Sequence, residues 1–74
     1  MDVNLGRTIR EKLRQQGRTV TWFASQLNCN RSNIYKILNK SSIDIDLLRR
    51  ICVILGYNFF AALSHEVDET IGRN

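Results

Sequence analysis

Apolar residues in this chain recur at helical spacing, with polar and charged residues between them. Leu5, Ile9 and Leu13 stand four apart and so share one side of a helix. They predict a first helix from about Val3 to Gln16, capped by Asp2 or Asn4 and ended by Gly17. Val20, Phe23, Ala24 and Leu27 follow the i, i+3, i+4, i+7 template, predicting a second helix from Val20 to Leu27 with Thr19 as N-cap. A third is predicted from Arg31 to Leu38, with Asn30 as N-cap and Ile34, Ile37 and Leu38 as its apolar residues. A fourth runs from Ile45 to Leu55, with Asp44 as cap, Gly56 as terminator, and Ile45, Leu48, Ile51, Cys52 and Leu55 as inner face. The fifth is short, Phe59 to Leu63 behind Asn58. The polar, acidic tail after Ser64 is expected to fray.

Composition supports an all-α chain. There is no Pro and there are four Gly, too few breakers for a turn-rich sheet. Seventy-four residues suffice for one small domain with an economical core. The net charge of +4 is unevenly spread. Residues 1–40 carry eight basic residues against Asp2 and Glu11, a net of +6, whereas residues 41–74 come to −2. A basic first half suits a polyanion, although an unevenly charged solvated surface would read the same way. Cys29 and Cys52 are not a CxxC pair and His65 is the sole histidine, so no zinc set is expected. Both cysteines occupy apolar positions, as buried free thiols in a reducing cytoplasm would. No apolar run reaches the ~20 residues of a membrane span and no signal peptide opens the chain, so a cytoplasmic protein without membrane contact is expected.

The second and third helices are joined by Asn28, Cys29 and Asn30 alone. Two helices so joined, each with one apolar stripe, must cross steeply to share a core. Ala24 is small where the third helix approaches, Cys29 is the apolar residue of the turn, and Asn28 tolerates a left-handed conformation. The stretch from Thr19 to Leu38, with Phe23-Ala24, Leu27, Cys29, Asn30, Ile34 and Ile37 in order, resembles the helix-turn-helix of the phage repressor and Cro family, also called the XRE family. The resemblance continues through Ile45 to Leu48, Ile51-Cys52 and Leu55-Gly56, and covers roughly residues 5–63. Val20 departs from it where the family often has Gln, and Asn28 and Lys40 where it commonly has Gly. The resemblance implies a five-helix lambda-repressor-like DNA-binding domain over residues 1–64, followed by the tail 65–74.

At about 100° per residue, Ser32, Lys36 and Asn39 lie opposite Ile34, Ile37 and Leu38, with Asn33 and Tyr35 flanking and long-reaching Arg31 at the helix start. A helix laid in the major groove would offer Arg31, Ser32, Asn33, Tyr35 and Lys36 to the bases: Arg and Lys suit guanine, Asn suits adenine. Arg10, Arg18, Thr19, Asn39, Lys40 and Ser41 are the candidate phosphate contacts, and no acidic residue stands between Arg14 and Asp44. Trp22 lies off its helix's apolar stripe, to cover a core edge or to stack near the DNA backbone. Tyr35 would touch a thymine methyl or phosphate, or shield Leu38.

Tyr57, Phe59, Phe60 and Leu63 are more apolar than one short helix needs, which suits either a dimer surface or a capped core. The functional expectation is a transcriptional regulator, a repressor, that binds double-stranded DNA as a homodimer. Alternatives are an antitoxin that also binds a toxin protein, and a protein-interaction domain of the same fold. With no nucleophile–base pair, metal set or phosphate-cradling glycine loop, no enzymatic activity and no cofactor are expected.

Overall fold

The computed structural model describes residues 4–72 and, within them, consists of five helices and no strand: α1 (Leu5–Gln15), α2 (Val20–Leu27), α3 (Arg31–Leu38), α4 (Ile45–Leu55) and α5 (Phe59–Gly72). The start of each follows from one polar side chain. Asn4, Thr19, Asn30 and Asp44 each accept a hydrogen bond from the backbone N–H three residues on, at 2.9–3.0 Å. Asn58 Oδ1 accepts from the backbone N–H groups of Phe60 and Ala61, two and three residues on, at 3.0 and 3.3 Å. These bonds satisfy amides that the first turn of a helix leaves without a partner. Val3 and Asp2, offered for the start of the first helix, lie outside the described residues.

Three helices end alike, on a left-handed residue: Gly17 (φ +67°), Asn28 (φ +58°) and Gly56 (φ +62°). In each case the residue after it donates its N–H to the carbonyl five residues back, as Arg18 does to Leu13, Cys29 to Ala24 and Tyr57 to Cys52. This is the Schellman arrangement, and it reverses the chain sharply.

The core joins all five helices. Leu5, Ile9 and Leu13 meet Phe23, Ala24 and Leu27, Ile34 and Leu38, Leu48, Ile51 and Leu55, and Phe59. No polar or charged residue is buried among the described ones. Ile45 departs from the expected inner face of α4 and is 67% exposed. At about 100° per residue it falls a quarter-turn from the Leu48–Ile51–Leu55 stripe, and Leu47 packs against the core instead.

The fifth helix also differs from expectation. It does not stop near Leu63 before a frayed tail but runs unbroken through fourteen residues to Gly72. No breaker interrupts it, and local bonds support its second half. His65 Nε2 meets Glu69 Oε1 at 2.9 Å, and the Thr70 hydroxyl donates to the Glu66 carbonyl at 2.9 Å. Its far end extends beyond the core, consistent with overall extents of 43 × 20 × 20 Å. Among the described residues no single helix is long and apolar enough to cross a membrane.

Gly6 decides how α1 meets the loop after α3. The N–H groups of Leu5 and Gly6 donate to the carbonyls of Ser41 and Lys40 at 3.0 and 2.9 Å. A Cβ at Gly6 would overlap the carbonyls of Leu38 and Lys40, which are backbone and have little room to yield. Helix propensity alone would make Gly6→Ala stabilising by about 1 kcal/mol. The close approach reverses the sign, and Gly6→Ala is expected to destabilise by roughly 1–3 kcal/mol, as overpacked cores do. Urea unfolding followed by circular dichroism measures it; a variant as stable as the parent would show that the loop can move away freely.

Candidate nucleic-acid interface

The geometry of α3 begins in the three residues before it. Asn28 adopts the left-handed conformation expected of it (φ +58°, ψ +41°), and Cys29 packs half-buried against the core. Asn30 then caps α3 by accepting from the Asn33 backbone N–H, and Asn33 itself is exposed. Ile34 and Leu38 are buried and Ile37 half-buried, so the opposite side of α3 faces solvent. Ser32 and Lys36 are exposed there, Asn33 and Tyr35 are exposed on its flanks, Tyr35 at 47%, and Arg31 is exposed at the helix start. Tyr35 is thus a surface residue, three positions before the buried Leu38.

The six candidate phosphate contacts are exposed as well. Arg10 reaches across from α1 and donates from Nη2 to Asn39 Oδ1 at 3.3 Å, joining two of them at the C-terminal end of α3. Lys40 and Ser41 follow at once, in the loop that Gly6 and Leu5 grip by their amides. Thr19 and Arg18 lie at the other end of the pair, before α2. The Thr19 hydroxyl oxygen accepts from the Trp22 N–H at 2.9 Å, and the Arg18 guanidinium carbon sits 4.3 Å from the Trp22 ring centroid. Trp22 itself packs half-buried on the core edge.

Among the described residues, charge on this surface is not paired with acids. The ion pairs among the described residues are Glu11–Arg14, Asp46–Arg49 and His65–Glu69. None involves Arg10, Arg18, Arg31, Lys36 or Lys40. The hydrogen bond from Arg14 holds the exposed Glu11 carboxyl below the usual carboxylate range, and that acid is matched by its own partner. Five cations with no acid partner among the described residues, and two asparagines, make a surface suited to phosphate oxygens and base edges. Among the described residues no three His, Cys, Asp or Glu side chains converge on a point where a metal ion could be held.

One cation here was not expected from the sequence. Arg50 of α4 donates from Nη2 to the Leu27 carbonyl at 3.3 Å, beside the turn, and lines one shallow hollow with Asn33, Lys36 and Lys40. Its position in the chain carries no sign of this, because it lies 23 residues from Leu27 and on a different helix.

The aromatic cluster is corrected in one respect. Phe59 is fully buried in the core of the single chain and therefore cannot form a dimer surface. Tyr57 stands edge-on to it at 4.8 Å, covered by Lys12 Nζ at 4.0 Å from the ring. Phe60 and Leu63 are half-buried against the same core. The large apolar side chains that α5 leaves most exposed are Val67, at 50%, and Ile71, at 65%, one and two turns beyond Leu63. The fourteen-residue length of α5 creates this surface, and the expected short helix hid it.

Comparison with protein families, curated proteins and solved structures gives no match to this chain.

Proposed function

We propose that this protein binds double-stranded DNA in a sequence-specific manner, with α2 and α3 as a helix-turn-helix in a lambda-repressor-like domain, and that it regulates transcription as a repressor. The observation that carries the reading is the exposed surface of α3: Arg31, Ser32, Asn33, Tyr35 and Lys36 are all exposed, and among the described residues no acid pairs with a cation there. An α-helix fits the major groove, and these side chain types read base edges while Arg10, Arg18, Thr19, Asn39, Lys40 and Ser41 meet phosphates on either side.

The reading includes a homodimer. One such helix reads about half a site, and two-fold dimers join half-sites one turn of DNA apart, roughly 34 Å. Phe60, Leu63, Val67 and Ile71 lie along one side of α5, in the half of the chain where the positive charge runs out. Pairing there leaves the basic surface free.

Selection from a random duplex pool tests both parts. An enriched inverted repeat is expected, and a pool without enrichment overturns specific recognition. Val67→Glu is expected to remove cooperative binding to the repeat while half-site affinity stays within about twofold, since exposed positions affect folding little. Unchanged cooperativity in that variant places the dimer surface elsewhere.

A further inference from the structure

We propose that Trp22 is a positioning residue for phosphate binding, a platform that holds the Arg18 guanidinium in place before DNA arrives. The inference rests on the DNA-binding reading and goes beyond it to the way one contact is prepared. The backbone of Arg18 is already fixed. Gly17 turns the chain at φ +67°, and the Arg18 N–H donates to the Leu13 carbonyl at 2.9 Å. Its side chain would otherwise sample many rotamers, and ordering it on binding would cost entropy. The stack on Trp22, with guanidinium carbon 4.3 Å from the ring centroid, restrains it. Trp22 can serve as a fixed support because its side chain packs half-buried on the core and its backbone N–H is held by the Thr19 hydroxyl oxygen at 2.9 Å.

The geometry also leaves the arginine free to bind. The guanidinium carbon lies over the ring, and no hydrogen bond or ion pair among the described residues takes up the guanidinium's donors. Thr19, whose hydroxyl oxygen accepts from Trp22 and keeps its own hydrogen to donate, adjoins the same spot. Arg18, Thr19 and Trp22 thus form one unit: a charge, a hydroxyl donor and the aromatic surface that orders the charge.

A double-mutant cycle on the selected duplex tests this, using Arg18→Ala, Trp22→Leu, Trp22→Phe and the Arg18→Ala/Trp22→Leu pair. Affinity is read from the anisotropy of labelled DNA over a salt series, and folding from circular dichroism. Arg18→Ala should lower the log–log salt slope by about 0.9. Trp22→Leu should weaken binding roughly two- to fivefold, Trp22→Phe should restore part of that loss, and Trp22→Leu should have no further effect once Arg18 is gone. In the free protein, Arg18→Ala should also change the emission of this sole tryptophan. Equal Trp22→Leu losses with and without Arg18, or no loss at all, overturn the platform while leaving DNA binding intact. A parent chain that binds no duplex removes the DNA-binding reading and the platform with it.

Discussion

Raising monovalent salt from about 50 to about 200 mM is expected to weaken duplex binding between roughly 40- and 500-fold per protomer. Each neutralised phosphate contributes about 0.9 to the slope of log affinity against log salt. Arg10, Arg18 and Lys40 flank α3 and give three such contacts, a slope near −2.7. If Arg31 and Lys36 also displace counterions, the slope approaches −4.5. All five are exposed and none is paired with an acid among the described residues, so their charge is available in full. Isothermal titrations of anisotropy at four or more salt concentrations measure the slope. A slope near zero would mean that this surface does not meet phosphate, and the nucleic-acid reading would fall with it.

Arg31→Ala and Lys40→Ala are expected to separate specificity from affinity. Arg31 opens α3 and faces solvent, where a guanidinium can bond the two acceptors of a guanine at once. Its loss should cost about 1–3 kcal/mol on the preferred site and relax the preference at one base pair. Lys40 lies past the end of α3, and its carbonyl, not its side chain, holds Gly6. Lys40→Ala keeps that backbone bond, so it should weaken all sequences about equally and reduce the salt slope by about 0.9. Neither change touches the core, and both proteins should melt close to the parent. Binding across a panel of single-base variants of the selected site distinguishes the two. Indistinguishable profiles would mean that α3 presents a different side to the DNA.

Much of the helical layout was legible in the chain because it depends on neighbours in sequence. A cap such as Thr19 or Asp44 acts three residues away, and an apolar stripe such as Leu5, Ile9 and Leu13 is a statement about period. The left-handed Asn28 was legible for the same reason, as a residue tolerant of that conformation in a three-residue connection. The exposed side of α3 also followed from period, since burying Ile34 and Leu38 turns Ser32 and Lys36 outward.

What period and caps leave open is which apolar side of an element finds a partner, and that was decided in three dimensions. The three aromatics at the start of α5 look alike in sequence, yet the closing of α5 on the core takes Phe59 fully inside and leaves Tyr57 as its edge-on cover. Ile45 fits the pattern of α4 yet lies a quarter-turn from the Leu48–Ile51–Leu55 stripe that meets the core, and it stays exposed. Gly6 looks like a weak point in a helix until the carbonyls of Leu38 and Lys40 are found where its side chain would be. Arg50 beside Leu27 and Arg10 beside Asn39 are 23 and 29 residues apart in the chain. Local sequence determined where the helices lie and which side of each is apolar, since both rest on bonds and spacings within a few residues. Tertiary packing decided which cations share the surface around α3, because that depends on where distant backbones come to rest.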